Sequence, residues 1–140
     1  TLHLGFDKKS YFLIKKDFIA KITMPSLTSL RVDGIGDITV SGFHENLFEV
    51  ELEGIANIYA FDSSAKKVNA ALDGTGNIDL NGMPATDANA ELDGVGKITL
   101  NMQGGVLSGY LDGAGTVRYT GEISSKQFEI DGVGELVYFQ

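Results

Sequence analysis

Between residues 25 and 138 apolar and polar side chains alternate in short runs, the two-residue period of strands and not the helical period of about 3.6. The runs repeat around an acidic residue followed by a glycine corner. These corners are Asp33-Gly34-Ile35-Gly36, Glu53-Gly54-Ile55-Ala56, Asp73-Gly74-Thr75-Gly76, Asp93-Gly94-Val95-Gly96, Asp112-Gly113-Ala114-Gly115 and Asp131-Gly132-Val133-Gly134. Successive acidic residues are separated by 20, 20, 20, 19 and 19 positions. Self-similarity at so constant an interval is the mark of a repeat architecture.

Aligned on the acidic position, the residue before it reads Val32, Leu52, Leu72, Leu92, Leu111 and Ile130. Five residues after it stand Ile38, Ile58, Ile78, Ile98, Val117 and Leu136, and two further on Val40, Ala60, Leu80, Leu100, Tyr119 and Tyr138. These three columns are predicted to face inward. The interleaved columns, Asp37, Asn57, Asn77, Lys97, Thr116, Glu135 and Thr39, Tyr59, Asp79, Thr99, Arg118, Val137, are predicted mostly to face water. Each unit thus holds two short strands meeting at the Gly-x-Gly corner, where glycine takes backbone conformations that other residues resist.

A unit of this size cannot bury its apolar side alone and must stack on its neighbours to build a continuous core. The expected fold is all-β, a parallel β-helix (β-solenoid) of about six coils of 19–20 residues forming one domain over residues 1–140. Coils stacked at the strand spacing of ~4.8 Å make a rod on the order of 30 Å long. An antiparallel sandwich is the alternative for short, regularly spaced strands, but it does not explain the uniform columns. Residues 1–24 break the pattern and read as an atypical N-terminal cap, with strands at Leu2–Leu4, Tyr11–Ile14 and Phe18–Ile22. Repeats then fill residues 25–138. The final Glu135–Gln140 resembles a Glu-x-x-Tyr-x-Gln protease-recognition sequence, so residues 139–140 are read as an appended tail beside an open strand edge.

The Leu-Asp-Gly-x-Gly-x-Ile-x-Leu unit, preceded by Ile22-Thr23-Met24-Pro25-Ser26-Leu27, resembles the bacterial head GIN domain of the auto-transporter adhesin family over roughly residues 20–138. The resemblance implies a right-handed single-stranded β-helix on an exported cell-envelope protein, with adhesion as the proposed role and no catalytic residues. The chain departs from the pattern at Glu53 and Ala56.

Composition narrows the function further. Eighteen glycines against 2 prolines, spaced regularly, are not those of a flexible linker. Eleven Lys+Arg against 19 Asp+Glu give a formal charge of -8, which opposes attraction to nucleic acid or anionic membranes. No apolar run reaches the roughly 18 residues of a membrane-spanning helix. The absence of cysteine excludes disulfides, thiolate metal sites and a cysteine nucleophile. Charge is uneven: residues 1–24 carry +3 and residues 25–140 carry -11. The basic end is read as a solvated cap or as half of an end-to-end contact in a homo-oligomer.

Candidate chemistry begins with the acidic column Asp33, Glu53, Asp73, Asp93, Asp112 and Asp131. Its structural reading is an Asx-type turn in which each carboxylate accepts backbone N–H groups of its own corner; its functional reading is a weak calcium ladder. Lysine at position 97 and the absence of the nine-residue calcium-repeat pattern oppose calcium, so no metal or cofactor is expected. Tyr59 and Tyr110 are candidates for a ligand surface, whereas Tyr119 and Tyr138 belong to an inward column. Asp79 and Arg118 share an outward column two coils apart, with Thr99 between them, a poor arrangement for catalysis but available to a ligand. His44 reads as a solvated loop residue and His3 as a partly buried terminal one. Nucleotide loops need a helix after the glycines, and strands follow here. The lead expectation is a non-enzymatic module of the cell envelope or extracellular space that binds a glycan or protein ligand. The alternatives are a carbohydrate-active β-helix enzyme, a polysaccharide lyase or hydrolase, and a self-assembling scaffold.

Overall fold

The computed structural model describes residues 21–140. The expected cap strands Leu2–Leu4 and Tyr11–Ile14, the first part of Phe18–Ile22, His3, and the basic Lys8, Lys9, Lys15 and Lys16 lie outside the described residues. Lys21 and Ile22, the described end of the third expected strand, belong to no strand, since the ladder of the first coil starts only at Ser29. Twelve strands follow one another, with no helix among the described residues. In chain order they are β1 (Ser29–Val32), β2 (Ile35–Ser41), β3 (His44–Leu52), β4 (Ile55–Phe61), β5 (Ser64–Leu72), β6 (Thr75–Asp79), β7 (Ala85–Leu92), β8 (Val95–Gln103), β9 (Val106–Leu111), β10 (Ala114–Glu122), β11 (Ser125–Ile130) and β12 (Val133–Tyr138).

Strands of one parity pair in parallel with the next of the same parity. β1, β3, β5, β7, β9 and β11 form one face, and β2, β4, β6, β8, β10 and β12 the other. Each odd–even pair is one coil, and the chain is a parallel β-solenoid of six coils. The parallel ladders exclude the antiparallel sandwich. Register follows the repeat: Ile38 lies opposite Ile58, Ile58 opposite Ile78, Ile78 opposite Ile98, Ile98 opposite Val117 and Val117 opposite Leu136.

The reason is burial. Ile58, Ile78, Ile98 and Val117 are wholly buried, as are Leu52, Leu72, Leu92 and Leu111 across the core. A slip of one residue would turn each of these side chains to solvent. The end coils are less covered, and Ile130, Val133 and Tyr138 of the last coil stand exposed. Tyr119 keeps its inward place against the core, whereas Tyr138, with no coil beyond it, is exposed on its outer side and meets the Tyr119 ring edge to face at 5.4 Å between centroids. Phe139 donates its N–H to the Tyr119 carbonyl at 2.9 Å and so continues the β10–β12 ladder past Tyr138.

The corners show why glycine is needed. A Cβ at Gly74 would land on the carbonyl oxygen of Gly54, and one at Gly94 on that of Gly74. The stacked corners approach so closely that no side chain fits between them.

Candidate functional site

The acidic ladder does not form the turns its sequence suggests. The N–H groups of Asp73 and Gly74 both donate to the Leu52 carbonyl of the preceding coil, at 3.0 and 2.8 Å, and those of Asp93 and Gly94 donate likewise to Leu72. The donor that an Asx turn requires lies two residues after the acidic one, and the ladder uses it too: the Thr75 N–H donates to the Gly54 carbonyl and the Val95 N–H to that of Gly74, both at 2.9 Å. Among the described residues no carboxylate of the column accepts a hydrogen bond from its own corner. Instead Glu53 accepts Arg31 Nη2 at 2.6 Å and Asp93 accepts the Tyr110 hydroxyl at 3.1 Å. The five aspartates of the column, Asp33, Asp73, Asp93, Asp112 and Asp131, are exposed, where water weakens their mutual repulsion.

Carboxylate oxygens of Glu51, Glu53 and Asp73 gather within 4.8 Å of one another. Arg31 reaches into this cluster, with Nη1 3.5 Å from Glu51, and supplies the positive charge that a cation would bring. The same carboxylates hold the guanidinium pKa above its ordinary value.

The even-strand face gathers most of the predicted surface residues. Tyr59, Asp79, Thr99 and Arg118 lie opposite one another on consecutive coils through β4, β6, β8 and β10. They line a shallow open groove of about 280 Å³ together with Asn77, Asn81, Lys97 and Phe139. Thr99 is only 8% exposed, although its strand position points outward, and it forms the floor. Tyr59 and Phe61 flank buried Ala60 and present 41% and 46% of their surfaces to solvent. Asn77 donates to Asn57 and Asn57 to Asp37, both at 2.8 Å, an amide ladder that fixes the groove's side. Asp79 accepts the Asn81 N–H at 3.0 Å and so shapes the turn after β6. The Arg118 guanidinium carbon sits 4.3 Å from the Phe139 ring centroid, a cation–π contact.

Tyr110 is not part of this groove. It stands on β9, on the odd-strand face, whose own groove of about 490 Å³ is lined chiefly by Glu49, Glu51, Lys67, Asn69, Asn89 and Glu91 over Ala71. Partial burial, and then the hydrogen bond to Asp93, push the Tyr110 hydroxyl up to about 12. Here Asn89 donates to Glu91 at 2.8 Å and accepts the Ser108 hydroxyl at 3.1 Å. His44 opens β3 and is not a loop residue: its Nδ1 lies 2.8 Å from the Ser64 hydroxyl oxygen.

The sequence columns had named Lys97, Thr99 and Asn77 only as solvated positions; reading the two outward columns side by side would have shown Lys97 and Arg118 as their basic pair. The Asn69–Asn89–Ser108 row could have been found by extending the same alignment upstream of the acidic residue.

A family model described as "Putative auto-transporter adhesin, head GIN domain" matches residues 1–100. The chain belongs to that family. The coils of this head GIN domain continue in register past the matched segment to β12. A solved structure of a "putative adhesin" from Bacteroides fragilis is similar in fold, with a TM-score of 0.53 and 19% sequence identity. The alignment covers 79% of this chain and 56% of that one, so the head GIN domain here spans little more than half of that solved chain. No curated protein matches.

Proposed function

We propose that this head GIN domain is a non-enzymatic binding module of the cell envelope or extracellular space, which offers its even-strand face to a glycan or protein ligand. One observation carries the reading: Tyr59, Asp79, Thr99 and Arg118 stand in register on four successive coils along an open groove. Stacked strands make that platform long, flat and rigid before any ligand arrives, which lowers the ordering cost of binding. The adhesin descriptions of the family and of the Bacteroides fragilis structure agree with it.

Hydrolysis of a glycan ordinarily needs two carboxyl groups flanking the scissile bond. Asp79 is the single carboxylate among the described residues lining this groove, and the Asn81 N–H already engages it. The test is saturable binding of the chain to immobilised glycans and proteins, with the soluble fraction analysed for cleavage products. Binding without product, weakened by Tyr59→Ala while the fold is retained, is expected. Release of product would overturn the reading in favour of an enzyme.

A further inference from the structure

Seven Lys or Arg residues fall among the described residues of a strongly acidic chain, and two of them, Lys97 and Arg118, line one groove. Lys97 lies on β8 two residues before Thr99, and Thr99 is the register partner of Arg118 on β10. The two basic residues are therefore diagonal neighbours on the same outward face, with Cα atoms roughly 8 Å apart, within joint reach of one small anion. Neither forms an ion pair among the described residues, whereas Arg31 pairs with Glu51 and Glu53. Arg118 is half-buried, which lowers the cost of ordering its fork of donors.

We infer that Lys97 and Arg118 form an anion subsite, and that the ligand of this face is a carboxylated glycan lying along the solenoid axis. The inference rests on the reading of the even-strand face as the binding face. Tyr59 stands three coils from Arg118, about 14 Å at the usual strand spacing, and offers a ring for stacking a sugar. A β-linked pyranose chain advances about one such spacing per residue, so a tri- or tetrasaccharide spans the distance. Its hydroxyls meet the amides of Asn77 and Asn81 between the two ends. A peptide is disfavoured: strand addition needs an unpaired edge, and the groove lies on a sheet face whose backbone groups are bonded to neighbouring coils.

Calorimetric titration of the chain with β-1,4-linked tetramannuronate and with mannotetraose, the same backbone without carboxylates, tests this. The acidic oligomer is expected to bind about tenfold or more tightly than the neutral one. Lys97→Gln and Arg118→Gln should each remove most of that difference while the far-ultraviolet circular dichroism spectrum shows the solenoid retained; Arg118→Lys should retain part of it. Added salt should weaken only the acidic oligomer. Equal binding of both oligomers, lost in Tyr59→Ala, overturns the anion subsite and leaves the binding face standing. No binding of either oligomer overturns the anion subsite, and if immobilised ligands also fail to respond to Tyr59→Ala, the proposed face falls too. An aspartate tetrapeptide that binds as tightly as tetramannuronate overturns the assignment to a glycan.

Discussion

Replacing Ile78 by alanine tests the continuous core directly. Ile78 is wholly buried and lies between Ile58 and Ile98, each also wholly buried, in register on the coils before and after it. Alanine removes three carbons, about 2.4 kcal/mol of transfer free energy at ~0.8 kcal/mol per carbon. Stacked strands cannot close the gap without breaking ladder hydrogen bonds on both sides, so a cavity cost adds to this, and the total should reach about 3–4 kcal/mol. The same truncation at Ile38, which is half-buried on the first described coil, should cost about 1–2 kcal/mol. Urea unfolding followed by far-ultraviolet circular dichroism measures both. Because stacked repeats can unfold in stages, hydrogen exchange of the β4, β6 and β8 amides should accompany it and show the loss centred on the altered coil. Equal costs at Ile38 and Ile78, or a cost below about 1 kcal/mol at Ile78, would refute the stacked core.

Gly94→Ala places a Cβ on the Gly74 carbonyl oxygen and should cost more than about 4 kcal/mol or prevent folding. Gly104→Ala, which meets no atom within 4 Å and is strained only by a φ of +93°, should cost about 1–2 kcal/mol in the same urea assay. In an ultraviolet pH titration one tyrosine should ionise near 12, and Tyr110→Phe should remove that step. Since the neutral phenol is favoured in the folded state, the stability it contributes is complete below its ordinary value near 10 and is lost as pH rises through about 12. Chelation should leave the melting temperature unchanged, because Arg31 already supplies positive charge to Glu51 and Glu53; a fall on adding a chelator, reversed by calcium, would restore the acidic column as a metal ladder.

Much of the architecture was legible before any coordinate. Alternation with a two-residue period assigned each side chain to a face, and repetition at 19–20 residues assigned each strand its partner. Apolar columns such as Leu52, Leu72 and Leu92 find equivalent neighbours only when coils stack in register, so pattern and topology are one constraint. Tertiary structure decided what alternation does not encode. The corner N–H groups at Thr75 and Val95 could serve either the carboxylate two residues back or the coil beneath, and the close approach of stacked glycine corners gave them to the coil. Tyr59 and Tyr110 look alike as outward tyrosines, yet strand parity puts them on opposite faces. Which outward residues share a groove depends on side-chain length, on the reach of Arg118 to Phe139 and on the burial of Thr99 beneath its neighbours. Those are distances across coils, set by packing, and a linear order of residues holds no record of them.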